Sequence, residues 1–360
     1  MMRYLFFIIL FVLASVQSNG QKSSFLILGD LHYDLPGNHN MEWLATKPDD
    51  MRQVKEYTLY TKNNWSDFMA ILRNQVQTVK PAVKAVIQLG DLSEGLAGSE
   101  ENAEKMAANA MKTIDDANMQ VPWIIVKGNH DVTGPGAVEA FQKYYVPMIR
   151  KQTNHPEIKN ASYSYLSGNI QIVCLDPWDK NTDMVSFLEK ELSASKAKFK
   201  FVAVHQPVIP VTERCWHMLK HNPAKRDKLL EVIARHKAIV LTAHLHRYSV
   251  VSRQTPFGTI VQVMVNSVVK DRNYQEPLQL ITEYGPSLAE NVPDWEPGAL
   301  EIRKAILADE SKYVTFYKQT DLPGYAIIKV DGEKESVQLE YYAAFGKAPY
   351  DKIDLTKLFK

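Results

Sequence analysis

Five short motifs stand in order along the chain: Asp30-Leu31-His32, Gly90-Asp91, Gly128-Asn129-His130-Asp131, His205 and His244-Leu245-His246. Nearly all of their side chains are carboxylates, imidazoles or carboxamides, the oxygen and nitrogen donors that hold metal ions. Asp30 and His32 lie two apart just beyond a strand-like run, so both can point into one cleft, and His244 and His246 repeat that spacing. Asp91 offers two oxygens that can bridge two cations, and Asn129 adds a neutral carbonyl oxygen. With His205 the set is mixed nitrogen and oxygen, suited to Zn, Mn or Fe and poorly suited to Ca or Mg, which prefer all-oxygen shells. Seven ligands are more than one tetrahedral ion needs. Two ions about 3.5–4 Å apart would use them, generate a bridging hydroxide and clamp an in-line displacement at phosphorus.

His130 has a separate role available. An alkoxide leaving from phosphorus needs a proton, and an imidazole titrates near neutral pH, so His130 is the candidate acid. Asp131, adjacent in sequence, and Glu94, three residues past Asp91, are the two carboxylates that could orient it. Substrate contacts are sought among Trp178, His39, Trp216, His217 and Arg247, which lie near the motifs or in the loops after them. Trp178 could stack on a base or sugar or fill core. Arg247 could face a phosphate or end in a surface ion pair.

The elements that must position these residues are legible as alternating patterns. Strand-like runs Phe25–Gly29, Val83–Leu89, Val121–Val126, Phe199–Val204 and Ala238–Thr242 each precede one motif, which predicts that the ligands gather at one edge of one sheet. Helical spacing marks Asn64–Lys80, Ser99–Asn118, Gly136–Arg150, Thr182–Ser193 and Arg226–His236. Paired strands are expected at Tyr163–Leu166 with Ile170–Leu175, at Tyr248–Gln254 with Thr259–Val265, and at Tyr325–Val330 with Val337–Tyr342. This mixture predicts an α/β fold of two packed mixed sheets flanked by helices, with one core through residues 21–360. Residues 31–63 and 270–322 are weakly patterned and are expected as long loop insertions that form the walls or lid of the cleft.

Composition sets limits. Of 360 residues 45% are hydrophobic and 23% charged, as in ordinary globular proteins, and a net charge of +1 without a basic block gives no support to a nucleic-acid partner. Residues 1–20 read as a secretory signal peptide: Arg3 is followed by the apolar run Leu5–Ala14 and by small residues near Ser18 and Gly20. The mature chain is therefore expected to be exported, with no span of its own. Its two cysteines, Cys174 and Cys215, could pair in an oxidising compartment. Asn64-Trp65-Ser66 and Asn160-Ala161-Ser162 match the glycosylation sequon.

From Phe25 to about Val265, the motifs Asp30-x-His32, Gly90-Asp91, Gly128-Asn129-His130-Asp131, His205-Gln206-Pro207 and His244-x-His246 resemble the signature of calcineurin-like metallophosphoesterases. The resemblance implies a four-layer αββα sandwich with a dinuclear metal centre. Asp30, His32 and His246 would hold one metal, Asn129, His205 and His244 the other, and Asp91 would bridge them. His130 would protonate the leaving oxygen or stabilise the transition state. Asp-x-His in place of Asp-x-Gly, and no tyrosine downstream of Gly90-Asp91, separate the chain from purple acid phosphatases. In motif style it is similar to bacterial class III phosphodiesterases. One departure is Ala243, where the family usually has glycine.

The expected activity is hydrolysis of a small-molecule phosphoester. Diesters are slightly favoured over monoesters, because the sequence shows no Lys/Arg cluster for a dianionic terminal phosphate. The alternatives are a monoesterase with the same site, a metal-dependent hydrolase acting on another bond, and a non-catalytic exported binding protein that retains the fold. Oligomeric state is left open.

Overall fold

Three parallel strands, β1 (Lys22–Leu28), β2 (Val83–Gln88) and β3 (Trp123–Ile125), form one side of a six-stranded sheet. The computed structural model describes residues 22–212, 219, 221–290 and 298–359. A second sheet holds β4 (Tyr163–Ser167), β5 (Ile170–Cys174), β6 (Phe199–Ala203), β7 (Ile239–Thr242), β8 (Tyr248–Thr255), β9 (Gly258–Met264), β10 (Leu280–Ile281) and β11 (Val314–Thr320), in the order β10-β11-β8-β9-β7-β6-β5-β4. The first sheet is completed by β12 (Gly324–Asp331), β13 (Ser336–Ala343) and β14 (Asp351–Asp354), which extend it antiparallel from β1.

Residue alternation decides what each face does. In β5 and just beyond it, Ile170, Ile172 and Cys174 enter the core that also holds β1, β2 and β12, whereas Val173 and Leu175 turn the other way. Those outward residues pack on Met184, Leu188 and Leu192 of α6 (Met184–Ala194) and on Leu229 and Ile233 of α7 (Pro223–Arg235), numbering helices in chain order. On the six-stranded sheet, α2 (Pro48–Thr78) contributes Phe68 and Leu72, and α3 (Glu100–Ala117) contributes Met106, Ala110 and Ile114. Helix, sheet, sheet, helix is the αββα order.

Two expectations change. Residues 31–63 are not a loop: a short α1 (Met41–Ala45) precedes α2, which begins at Pro48 and runs 31 residues. Pro48 at the first helical position with Asp49 and Asp50 in the first turn are ordinary start signals that the search for an apolar stripe passed over. Residues 270–322 likewise contain β10, α8 (Ala299–Glu310) and β11, although residues 291–297 lie outside the description. The helical run from Gly136 divides into α4 (Ala137–Ala140), a five-residue π-helical segment (Phe141–Tyr145) and α5 (Val146–Thr153).

Both sequons are engaged. Asn64 is buried and donates its amide to the Val269 carbonyl at 2.8 Å, and Asn160 donates to Asp179 at 2.7 Å. Cys174 is buried, and burial pushes its thiol up to about 12. Its suggested pairing with Cys215, the leader at residues 1–20, and the candidates Trp216 and His217 lie outside the described residues. Among the described residues, no helix is long and apolar enough to cross a membrane.

Candidate metal centre

The motifs occupy strand exits, on two sheets rather than one. Asp30 and His32 follow β1, Asp91 follows β2, and Asn129 and His130 follow β3, while His205 follows β6 and the His244 pair follows β7. β1, β2 and β3 are parallel neighbours, as are β6 and β7, so all five exits open at carboxyl ends, the usual place for ligands in α/β sheets.

The turns at these exits are unusual. His32, Asp91, His244 and His246 all have positive φ, from 44° to 76°, a region that costs a side-chain-bearing residue free energy and clusters at functional sites. The two motif glycines permit the close approach of the loops. A Cβ on Gly128 would overlap the Asp91 backbone nitrogen and carboxylate, and one on Gly90 (φ 98°) would strike the His205 ring. Ala243 is fully buried, and its N–H donates to the His205 carbonyl at 2.9 Å. The methyl is thus accommodated in core, and the left-handed residues of that turn are its neighbours.

The structure brings all seven predicted ligands together. Donor atoms of Asp30, His32 and His246 lie within 4.8 Å of one another, as do those of Asp91, His205 and His244. His32 Nε2 faces His246 Nε2 at 3.0 Å, and Asn129 Oδ1 lies 3.1 Å from His205 Nε2. Donor atoms of His32, Glu94 and His130 also lie within 4.8 Å of one another.

His205 shows what the cluster fits. Its Nδ1 donates to the Leu89 carbonyl at 2.8 Å, which in a neutral ring leaves Nε2 as a bare lone pair. That lone pair meets Asp91 Oδ2 at 3.1 Å, Asn129 Oδ1 at 3.1 Å and His244 Nδ1 at 3.2 Å. Lone pairs converging on one point are repulsive unless a cation or a proton sits between them. Two donors bound at about 2.0–2.1 Å to a shared cation stand about 3–3.7 Å apart, the spacing seen here. Protonation is the alternative, and it shows in the electrostatics. Burial pulls the His205 pKa down, but Asp91 and Asp30 outweigh it and raise it to about 9. Burial, with Asp91 nearby, pushes Asp30 up to about 8. Burial, with positive neighbours including Lys270, holds His32 and His246 well below the usual imidazole range.

His130 sits at the cleft wall, and neither predicted carboxylate orients its ring as expected. Asp131 instead accepts the backbone N–H groups of Asp91 (2.9 Å), Gly128 (2.9 Å) and Ser93 (3.2 Å), with Tyr145 donating to it at 3.1 Å. It ties the second and third motif loops together. The Glu94 carboxylate approaches His32 Nδ1 at 2.7 Å and His130 Nδ1 only at 4.0 Å. His130 Nδ1 is held by the Glu94 backbone carbonyl at 2.6 Å, which leaves Nε2 for the cleft. Burial lowers the His130 pKa, but the Asp91 and Glu94 charges and that carbonyl overcome it, and the net shift is upward.

Sequence reading missed the contribution of α2. Tyr57 stacks on His32 with ring centroids 4.3 Å apart and places its hydroxyl 3.3 Å from His246 Nδ1. Gln53 donates to Glu94 at 2.8 Å. The wall of the cleft is this helix, at the place assigned to a loop. Of the suggested substrate residues, Trp178 is half-buried with its ring 6.1 Å from that of His205. His39 is buried away from the cleft on Asp34 (2.9 Å) and the Leu96 carbonyl (3.0 Å). Arg247 lines the cleft, with no ion pair among the described residues.

The fold has known relatives. The structure described as PhoD superposes with a TM-score of 0.50 at 12% identity, covering 92% of this chain and 68% of that one. "GAP50 the anchor in the inner membrane complex of Plasmodium" gives 0.52 at 14% identity, covering 93% and 88%. At such identities the likeness concerns the fold alone. No curated protein gives a significant match. The calcineurin-like phosphoesterase family profile matches residues 23–248, a span that includes all but the first residue of β1, all five motifs and the strands that each motif follows. That span is more than half of the sequence, and the chain belongs to the calcineurin-like phosphoesterase family.

Proposed function

We propose that the chain is an exported two-metal phosphoesterase that hydrolyses phosphodiester bonds. The observation that carries this is the convergence of lone pairs around His205 Nε2, beside a second converging set on His32 and His246. Asp30, His32 and His246 would hold one divalent cation, Asn129, His205 and His244 the other, with Asp91 shared; Mn, Zn and Fe suit the donors. Bound there, two such ions supply Lewis acidity toward phosphoryl oxygens and water made nucleophilic at neutral pH.

The chain's own residues do the rest. The Leu89 carbonyl fixes the tautomer of His205 through Nδ1, which leaves its Nε2 to face the site, and the Glu94 carboxylate stands 2.7 Å from His32 Nδ1. His130, anchored through Nδ1, presents Nε2 to the cleft as the acid for the departing oxygen. Tyr57 closes the side of the site against α2. The style of the motifs supports a class III phosphodiesterase-like member, and residues 1–20 support export.

The likeness to a protein described as an anchor concerns the fold alone and leaves catalysis to be argued from the site. A complete donor set with tuned tautomers favours it. Hydrolysis of bis-p-nitrophenyl phosphate with added Mn²⁺, together with metal analysis of the purified protein, tests the reading. Asp91→Ala and His205→Ala should lose both metal and turnover; full activity in metal-stripped Asp91→Ala protein would refute it. Amino-terminal sequencing of the mature protein from a secreting host tests export, and a retained Met1–Gly20 segment rejects it.

A further inference from the structure

The cleft over the candidate metal centre, about 370 Å³, has Asp91, Asn129, His130 and His246 among its lining residues and three cations as well: Arg52, Arg247 and Lys270. They come from three separate elements. Arg52 is on α2, Arg247 lies between β7 and β8, and Lys270 follows β9 by six residues. No sequence window holds two of them, so the cluster exists only in the fold.

Their pairing differs. Arg52 is bonded to Glu56 on the same helix at 3.0 Å, and that pair is largely solvent-exposed. Arg247 and Lys270 have no carboxylate partner among the described residues. Apart from Glu56, the only acid lining the cleft among the described residues is Asp91, which belongs to the donor cluster. Two cations with no carboxylate partner among the described residues, beside a site suited to hold two more, repel one another, and the cost rises inside a cleft, where fields are less screened. An anion of more than one charge relieves it.

We propose that the cleft takes an organic diphosphate, with the scissile phosphoryl group over the donor cluster and the second phosphoryl group on Arg247 and Lys270. This rests on the phosphoesterase reading above and names its substrate class. Arg247 follows His246 directly, so their Cα atoms are about 3.8 Å apart. The second anion is thereby placed next to the scissile group rather than at the far end of a long substrate. A guanidinium fork and an ammonium together match a phosphoryl group with two or three free oxygens. In the hydrolysis the oxygen of water bonds to the scissile phosphorus, the bond from that phosphorus to the bridging oxygen breaks, and the second phosphoryl group leaves with that oxygen, which takes the proton that His130 is placed to give. The scissile phosphorus of such a diphosphate carries one ester and one anhydride link, so like that of a diester it is disubstituted and singly charged, and the charge cluster and the diester preference agree.

The test uses the full mature chain loaded with Mn²⁺ and two probes, UDP-glucose and uridine 5′-monophosphate, which share uridine monophosphate and differ in the glucosyl-phosphoryl unit that only the first carries. Calorimetry on wild type and on Arg247→Met/Lys270→Met should show UDP-glucose affinity falling at least tenfold in the double variant, with a loss for the monophosphate below threefold. Arg247→Lys/Lys270→Arg, which keeps both charges, should recover most of the difference and controls for folding. The ratio of kcat/KM for UDP-glucose to that for bis-p-nitrophenyl phosphate should fall by a similar factor. Equal losses for both nucleotides, or no loss for either, would overturn the proposal. Absence of turnover with every substrate, alongside a charge-dependent affinity difference, would sink the phosphoesterase reading and leave the diphosphate site standing.

Discussion

Glu94 serves two histidines with two different oxygens. Its carboxylate stands 2.7 Å from Nδ1 of His32, and its backbone carbonyl accepts from Nδ1 of His130 at 2.6 Å. One residue thus lies against a candidate ligand and anchors the ring of the candidate acid, and Gln53 of α2 pins the carboxylate from behind.

Removing only the charge at that point should weaken metal binding without unfolding the loop. Glu94→Gln is expected to lower metal affinity about 10- to 100-fold, the usual effect of losing a carboxylate behind a ligating imidazole. Competition against a chelator of known affinity measures it, and an affinity within twofold of wild type would show that His32 needs no such support.

The acid at His130 predicts dependence on the leaving group. His130→Gln should retain metal and lower kcat by about 10²–10⁴ for alkyl phosphodiesters. The loss should be much smaller for p-nitrophenyl esters, whose leaving oxygen needs little protonation. A uniform loss across both classes assigns His130 to charge stabilisation instead.

Gly128 allows the third motif loop to lie against Asp91. Gly128→Ala would drive a methyl into the Asp91 backbone nitrogen and carboxylate, so the loops must separate. A destabilisation of about 3 kcal/mol or more is expected, in the range of clashes that buried structure cannot absorb. Chemical denaturation of the metal-free protein reads it without involving ligand binding.

The buried His39–Asp34 pair ties the chain after the first motif to the loop after the second. Burial lowers the His39 pKa, but the bond to Asp34 and the Leu96 carbonyl outweigh it and the net shift is upward. A raised folded-state pKa gives stability that is complete below the unfolded value, about 6.5, and is lost as pH rises through the folded value. The melting-temperature advantage of wild type over His39→Asn should therefore shrink from pH 5.5 to pH 8.5. An advantage that grows with pH contradicts this assignment.

Cys174 faces the core between the sheets, with its thiol pushed up to about 12. In a Cys215→Ser variant the native protein should not react with a thiol reagent at pH 8, whereas the denatured protein should yield one thiol.

The donor set and the strands that carry it were legible in the chain. Ligand types recur just after short apolar runs, and a strand's direction then dictates where its next residues emerge. The expected sandwich was legible for the same reason, since alternation in β5 already separates Ile172 from Val173. What misled was α2. Its polar, tyrosine-rich first half has no clean apolar stripe, because that half faces the cleft and not the core: Gln53 and Tyr57 turn toward Glu94 and His32.

The sequence alone therefore determined which residues could ligate and which strand ends present them, because those are local properties of composition and strand period. Only the tertiary structure decided partners: the Glu94 carboxylate beside His32 with its backbone carbonyl on the His130 ring, Asp131 on three backbone amides, and Arg247 with Lys270 over the centre. Each of those choices depends on how close two loops come in space, and sequence separation does not encode that distance.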